Sequence, residues 1–185
     1  ALARMGEAGF EVPAWFVVRP GAFEAAVPPG RRNADLDGVA LAEADAAALA
    51  EALTAISPDG QPVAVRSSAL EEDGAEHSFA GQLASYLFVP AEPGAVAEKV
   101  VAVWRSGFAE RVLAYRRERG LARPPGAPAV IVQRMVDAEV SGVAFSADPV
   151  SGRRGIAVGA AAYGLGGAPG SGGAEGDGFH LDRGG

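Results

Sequence analysis

The spacing of apolar residues divides the chain into short elements. Leu2, Met5 and Phe10 outline one or two amphipathic helical turns, and Gly9 is placed to stop them, as glycine does at many helix ends. Val12-Pro13-Ala14-Trp15-Phe16-Val17-Val18 is a run of β-formers entered through a proline, which predicts a buried strand. Residues 40 to 56 are rich in alanine, and Leu41, Leu49, Leu53 and Ile56 recur near helical spacing, so a helix is expected there. Ser57-Pro58-Asp59-Gly60 is a turn signal, and Pro62 to Arg66 follows as a short strand ending on an arginine. Leu83 to Val89 predicts a further strand. One long helix is expected from about Pro93 to Arg119, with Pro93 at a first helical position, Val96, Val100, Val103, Gly107 and Phe108 along one face, and Gly120 at its end. Ala129 to Gln133, Gly142 to Phe145 and Gly155 to Ala161 predict three more strands, the first two as a hairpin from Val130 to Phe145. From Gly164 onward the chain is glycine-rich and its pattern predicts no element. Mixed helices and strands with such a hairpin favour an α+β fold over a regular parallel βαβ array.

Composition narrows the class. With 185 residues, 49% of them hydrophobic and 21% charged, the chain can build one large domain or two small lobes around a cleft. A net charge of -7 shows no nucleic-acid footprint, although local arginines can still bind a small anion. The absence of cysteine excludes a disulfide scaffold, a thiolate zinc site and a cysteine nucleophile, and accords with a cytoplasmic location. No apolar run is long enough to cross a bilayer. The opening Ala1-Leu2-Ala3-Arg4 lacks an initiator methionine and does not read as a signal peptide, so the chain is expected to belong to something longer.

The segment Val65-Arg66-Ser67-Ser68-Ala69-Leu70-Glu71-Glu72-Asp73, continuing to Ser78-Phe79-Ala80-Gly81-Gln82, is the most informative. A strand delivers an arginine to its end, where a loop of small hydroxyl residues begins, and a second loop with Ala80-Gly81 follows. Small residues let backbone N–H groups approach phosphate oxygens, and a guanidinium can bind two such oxygens at once. The residues alone leave two readings open: an anion site, or a turn in which Arg66 pairs with Glu71 or Glu72. Those acids and Asp73 could ligate a cation or flank a short helix, and His77 could assist binding or simply lie exposed. Met135 is as well suited to a core as to packing on a base.

Taken together these segments resemble the N-terminal domain of phosphoenolpyruvate synthases and pyruvate phosphate dikinases. The arginine-serine-serine stretch, the acidic pair and Ser78-Phe79-Ala80-Gly81-Gln82 are similar to that family's signature, as are Gly9 to Val18, Trp104 to Arg116, Val130 to Val136, Ser141 to Pro149 and Gly164-Leu165-Gly166, in order. The resemblance implies an ATP-grasp-like α+β fold, two lobes around a nucleotide cleft, with ATP and Mg2+ as cofactors. It places Arg66 and Gly81 at the ATP phosphates, with Ser85 a further contact. It puts Gln133 beside the adenine, and a hinge of backbone groups from Arg134 to Val136, including Met135, along the adenine edge. The expected organisation is a first lobe over 1–125, a central hairpin and strand over 126–163, and a glycine-rich tail over 164–185.

The resemblance further implies an incomplete N-terminal ATP-binding domain of a larger, cytoplasmic phosphotransferase. Such an enzyme passes a phosphoryl group from ATP to a histidine on a separate domain and then to an acceptor, with neither nucleic acid nor membrane as partner. The metal-binding residues and the arginine near the transferred phosphate fall outside this chain, which is expected to be inactive alone. Gly167 stands where the family has a glutamate. Two alternatives follow: a non-catalytic nucleotide-binding module, or a related phosphotransferase acting on rifamycin-type antibiotics. A dinucleotide fingerprint at Gly164-Leu165-Gly166 is rejected because Pro169 occupies the third glycine position, and no Walker A segment exists.

Overall fold

A computed structural model of the chain describes residues 2–28, 36–68, 83–118, 127–164 and 177–182, with only the backbone at residue 116. They divide into two compact units, Ala1–Met135 and Val136–Gly185.

The first unit is built on a four-stranded antiparallel sheet of order β1-β4-β2-β3, where β1 is Trp15–Val18, β2 Val63–Ser68, β3 Ser85–Val89 and β4 Ala129–Arg134. Alternation along these strands sends Val18, Val63, Val65, Val89, Val130 and Val132 to one face, all of them buried. That face is covered by α3 (Glu43–Ile56), which packs on β1, and α4 (Pro93–Ser106), which packs on β2, β3 and β4. Leu49, Leu53 and Ile56 of α3, and Val96, Val100, Val103 and Trp104 of α4, supply the matching apolar stripes. Burying a side chain of this size contributes about 1.5–3 kcal/mol each, so this valine layer is where the unit's stability resides.

The ends of the helices follow from their sequences. α1 (Leu2–Glu7) closes with Gly9 at a φ of 84°, its N–H donating to the Gly6 carbonyl and that of Phe10 to Met5, a Schellman motif. α2 (Pro20–Ala26), which the apolar pattern did not suggest, starts with proline in its first turn and buries Ala22 and Phe23.

The single helix expected over residues 93–119 is instead two, α4 and α5 (Glu110–Glu118). At the break the Ser106 hydroxyl turns back on the Val103 carbonyl at 2.7 Å. Gly107, Phe108 and Ala109 then bond three residues back, tightening the turn. Phe108 thereby stacks against Phe23, whose ring also meets Trp104 edge-on with centroids 5.4 Å apart.

The expected hairpin from Val130 to Phe145 does not form. β4 is an inner strand whose two edges are taken by β1 and β2, so none is left for β5 (Val140–Phe145). β5 pairs with β6 (Ile156–Tyr163) in the second unit, and β6 with β7 (Asp177–Asp182), giving a three-stranded antiparallel sheet. β7 also corrects the reading of the tail as unpatterned: Phe179 and Leu181 alternate with Gly178 and His180 in a short strand flanked by glycine. Gly142 is required on β5, because a Cβ there would lie 2.6 Å from the Ala160 carbonyl oxygen. The β5–β6 loop is tied by Asp148, whose carboxylate accepts the Val150 N–H at 2.9 Å and the Ser151 hydroxyl.

Candidate functional site

The face of the first sheet opposite the valines carries the chemistry. Pairing partners share a face, so the registers Arg66↔Ser85, Arg66↔Ile131, Ala64↔Gln133 and Trp15↔Gln133 put Arg66, Ser85, Gln133, Ala64, Ile131 and Trp15 on one side. Two residues along a strand and one strand across separate Arg66 from Gln133 by about 8 Å at the backbone, and Ser85 lies one strand further, about 12 Å from Gln133. Between them lie buried Ala64 and half-buried Ile131, so this part of the face is apolar. Arg66 and Ser85 are exposed at one end of this diagonal, and Gln133 is buried at the other. Among the described residues no carboxylate pairs with Arg66. Its expected alternative partners, Glu71 and Glu72, lie outside the described residues, as do Asp73, His77 and Gly81.

Gln133 donates its amide to the Pro13 carbonyl at 3.3 Å, which fixes the carboxamide plane and leaves its oxygen as an acceptor. Just beyond it, the N–H groups of Arg134 and Met135 are spent on the carbonyls of Ala14 and Pro62, both at 2.9 Å. Met135 is half-buried at the end of the first unit, and Val136, exposed, begins the second. The structure therefore brings Arg66, Ser85 and Gln133 onto one face with Met135 at the strand end.

Two further features lie near this face, one beside it and one behind the sheet. A bulge in β3, with Phe88 at a φ of 55°, leaves both Leu87 and Phe88 exposed beside Ser85. The Arg134 side chain reaches back to Asp59 and Gln61 in the α3–β2 turn. From sequence that segment was only a turn, because a partnership across more than seventy residues leaves no local signal. A groove of about 470 Å³ lies elsewhere, between β1, α2 and α3, lined by Val18, Gly21, Leu49 and Ala52 among others, and holds none of the expected site residues. Among the described residues no cluster of three His, Asp or Glu side chains is positioned to hold a metal ion, and no helix is long and apolar enough to cross a membrane.

A mixed α+β unit with a helix-backed antiparallel sheet, whose open face carries an exposed arginine and a buried glutamine, is a framework suited to a nucleotide. Sequence comparison gives the same class: the family described as pyruvate phosphate dikinase, AMP/ATP-binding domain matches residues 39–184, and the chain belongs to it. Rifampicin phosphotransferase of Streptomyces sviceus is 42% identical over 131 residues, 71% of this chain and 15% of that protein. The prodigiosin synthesizing transferase PigC of Serratia marcescens is 44% identical over 125 residues, 68% of this chain and 14% of that protein. A probable phosphoenolpyruvate synthase of Archaeoglobus fulgidus is 46% identical over 104 residues, 56% of this chain and 14% of that protein. The chain thus spans about one seventh of the length of these curated relatives. ATP is the ligand its family membership assigns to it.

Proposed function

We propose that the open face of the β1-β4-β2-β3 sheet is one wall of an ATP-grasp cleft, and that this chain supplies ATP binding to a larger phosphotransferase. The diagonal from Gln133 to Arg66 and Ser85, about 12 Å across an apolar part of the face, supports this reading because it separates a base-recognising end from a phosphate-recognising end. Arg66 holds the β- or γ-phosphate by charge-assisted bonds, with the Ser85 hydroxyl beside it and Gly81 a further contact to the phosphates. Ile131 contacts the base, and the Gln133 carboxamide oxygen accepts from its amino group. Since the Arg134 and Met135 N–H groups are already committed, the hinge reads the base through carbonyl oxygens. Mg2+ accompanies ATP and neutralises its phosphates; this chain's residues bind and orient the nucleotide.

In the complete cytoplasmic protein the phosphoryl group passes to a histidine on another domain and then to an acceptor, as in a phosphoenolpyruvate synthase. Catalysis in such a reaction comes from positioning and charge neutralisation, so arginine and backbone amides carry it without a protein nucleophile in this domain. A rifamycin-type antibiotic as acceptor is the second reading, favoured by the 42% identity to a rifampicin phosphotransferase. Calorimetric titration of the full-length protein with ATP and Mg2+ tests the site. Saturable binding that weakens by about 1.5–3 kcal/mol in a folded Arg66→Ala variant is expected, and unchanged affinity removes Arg66 from the site. Product analysis with pyruvate and with rifampicin decides between the acceptors.

A further inference from the structure

Arg134 is the last residue of β4 and pairs with Val63, so it leaves the sheet on the side away from Gln133. Its guanidinium forks onto the α3–β2 turn: Nε donates to the Gln61 side-chain oxygen at 3.0 Å, and a terminal nitrogen donates to an Asp59 carboxylate oxygen at 2.5 Å. The turn is itself fixed. The Ser57 hydroxyl donates to the Gln61 carbonyl at 2.7 Å, the Gly60 N–H to the Ser57 carbonyl at 3.2 Å, and Gly60 takes a φ of 74°. Next to it the β2–β4 ladder runs out, because Pro62 accepts the Met135 N–H but has no N–H to return. Arg134 therefore holds the strand end where the ladder can add only one bond. An ion pair this exposed adds little to stability. A two-pronged guanidinium contact, by contrast, fixes orientation closely.

We propose that Arg134, Asp59 and Gln61 form a clamp that sets the position of the Gln133–Met135 segment for adenine recognition. This makes the Arg134 side chain a positioning group that never touches the nucleotide, and it rests on the nucleotide reading above. Loosening the clamp lets the Gln133 carboxamide and the neighbouring carbonyls drift, and recognition of the base suffers more than the hold on the phosphates. Guanine presents a carbonyl where adenine presents an amino group, so ATP-over-GTP preference reports the alignment of these acceptors.

The test measures ATP and GTP affinities of the full-length protein, wild type, Arg134→Ala, Arg134→Lys, Asp59→Asn and the Asp59→Asn/Arg134→Ala pair, with thermal unfolding alongside. Arg134→Ala is expected to weaken ATP about tenfold and GTP less than about twofold, while the pair matches Arg134→Ala alone because both changes break the same contact. Arg134→Lys, keeping the charge and one bond, recovers part of the preference. Asp59→Asn leaves β4 untouched, so it decides the matter should Arg134→Ala fail to fold. An ATP/GTP ratio unchanged in folded Asp59→Asn and Arg134→Ala overturns the clamp alone. Wild-type protein that binds no ATP overturns the nucleotide reading and the clamp with it.

Discussion

In the first unit the strands turn a layer of valines onto α3 and α4, and Val63, Val65, Val130 and Val132 are wholly buried. In the second, Val140, Phe145, Phe179 and Leu181 stay exposed, and Ala162 is its one buried apolar residue among those described. Both sheets are antiparallel ladders, interrupted only by the bulge in β3, so strand direction does not separate them. Side-chain volume does. β6 reads Ile-Ala-Val-Gly-Ala-Ala-Ala-Tyr and has little to bury, while β2 and β4 turn Val63, Val65, Val130 and Val132 onto the core face. The first unit can therefore stand as a rigid wall for a ligand, whereas the second depends on its ladder and on what the glycines and alanines of β5 and β6 allow to approach.

This contrast can be broken most directly in the core. Trp104→Ala, at a fully buried ring packed edge-on against Phe23, should destabilise the first unit by about 3–5 kcal/mol in chemical denaturation. Phe179→Ala in the second unit should cost under about 1 kcal/mol, and an equal loss in the two variants would contradict the difference in burial. Next in size, Gly142→Ala pushes a methyl into the Ala160 carbonyl and should cost about 1–3 kcal/mol. Hydrogen exchange should show that loss in β5 and β6 with β2 and β4 unmoved. Without any mutation, amides of β4 should exchange more slowly than those of β6.

The smallest effect concerns pH. The Ser151 hydroxyl first, and then the Val150 N–H, hold the Asp148 carboxyl below its ordinary value of 3.8, with His180 adding a minor pull. Because the folded value is the lower one, the loop's stabilisation is fully present above the ordinary value and is lost as pH falls through the depressed one. The Val150 amide signal should stay protected from neutral pH to about 4 and lose protection only below that. Loss already at pH 5 to 6 would mean that another group controls the loop.

Periodicity made α3, the apolar face of α4 and the strands of the first unit legible, because burial on one face imposes a spacing. Arg66 stood out at the end of its strand, before a loop of small hydroxyl residues, whereas Ser85 and Gln133 came forward only through the family resemblance. The α4–α5 break was hidden because Ser106 and Gly107 are tolerable helix residues until the Ser106 hydroxyl turns onto Val103. The hairpin reading failed since adjacency in sequence says nothing of which edges of β4 are already occupied. Asp59 and Gln61 were invisible as partners of Arg134 for the same reason.

Photolabelling of the full-length protein with 8-azido-ATP, followed by peptide mapping, is the most direct measurement of where the base sits. The account predicts label in peptides covering 127–135 and 61–68, suppressed by excess ATP. Label concentrated in 16–22 and 45–52, the groove between β1, α2 and α3, would contradict the assignment of the open sheet face as the nucleotide wall.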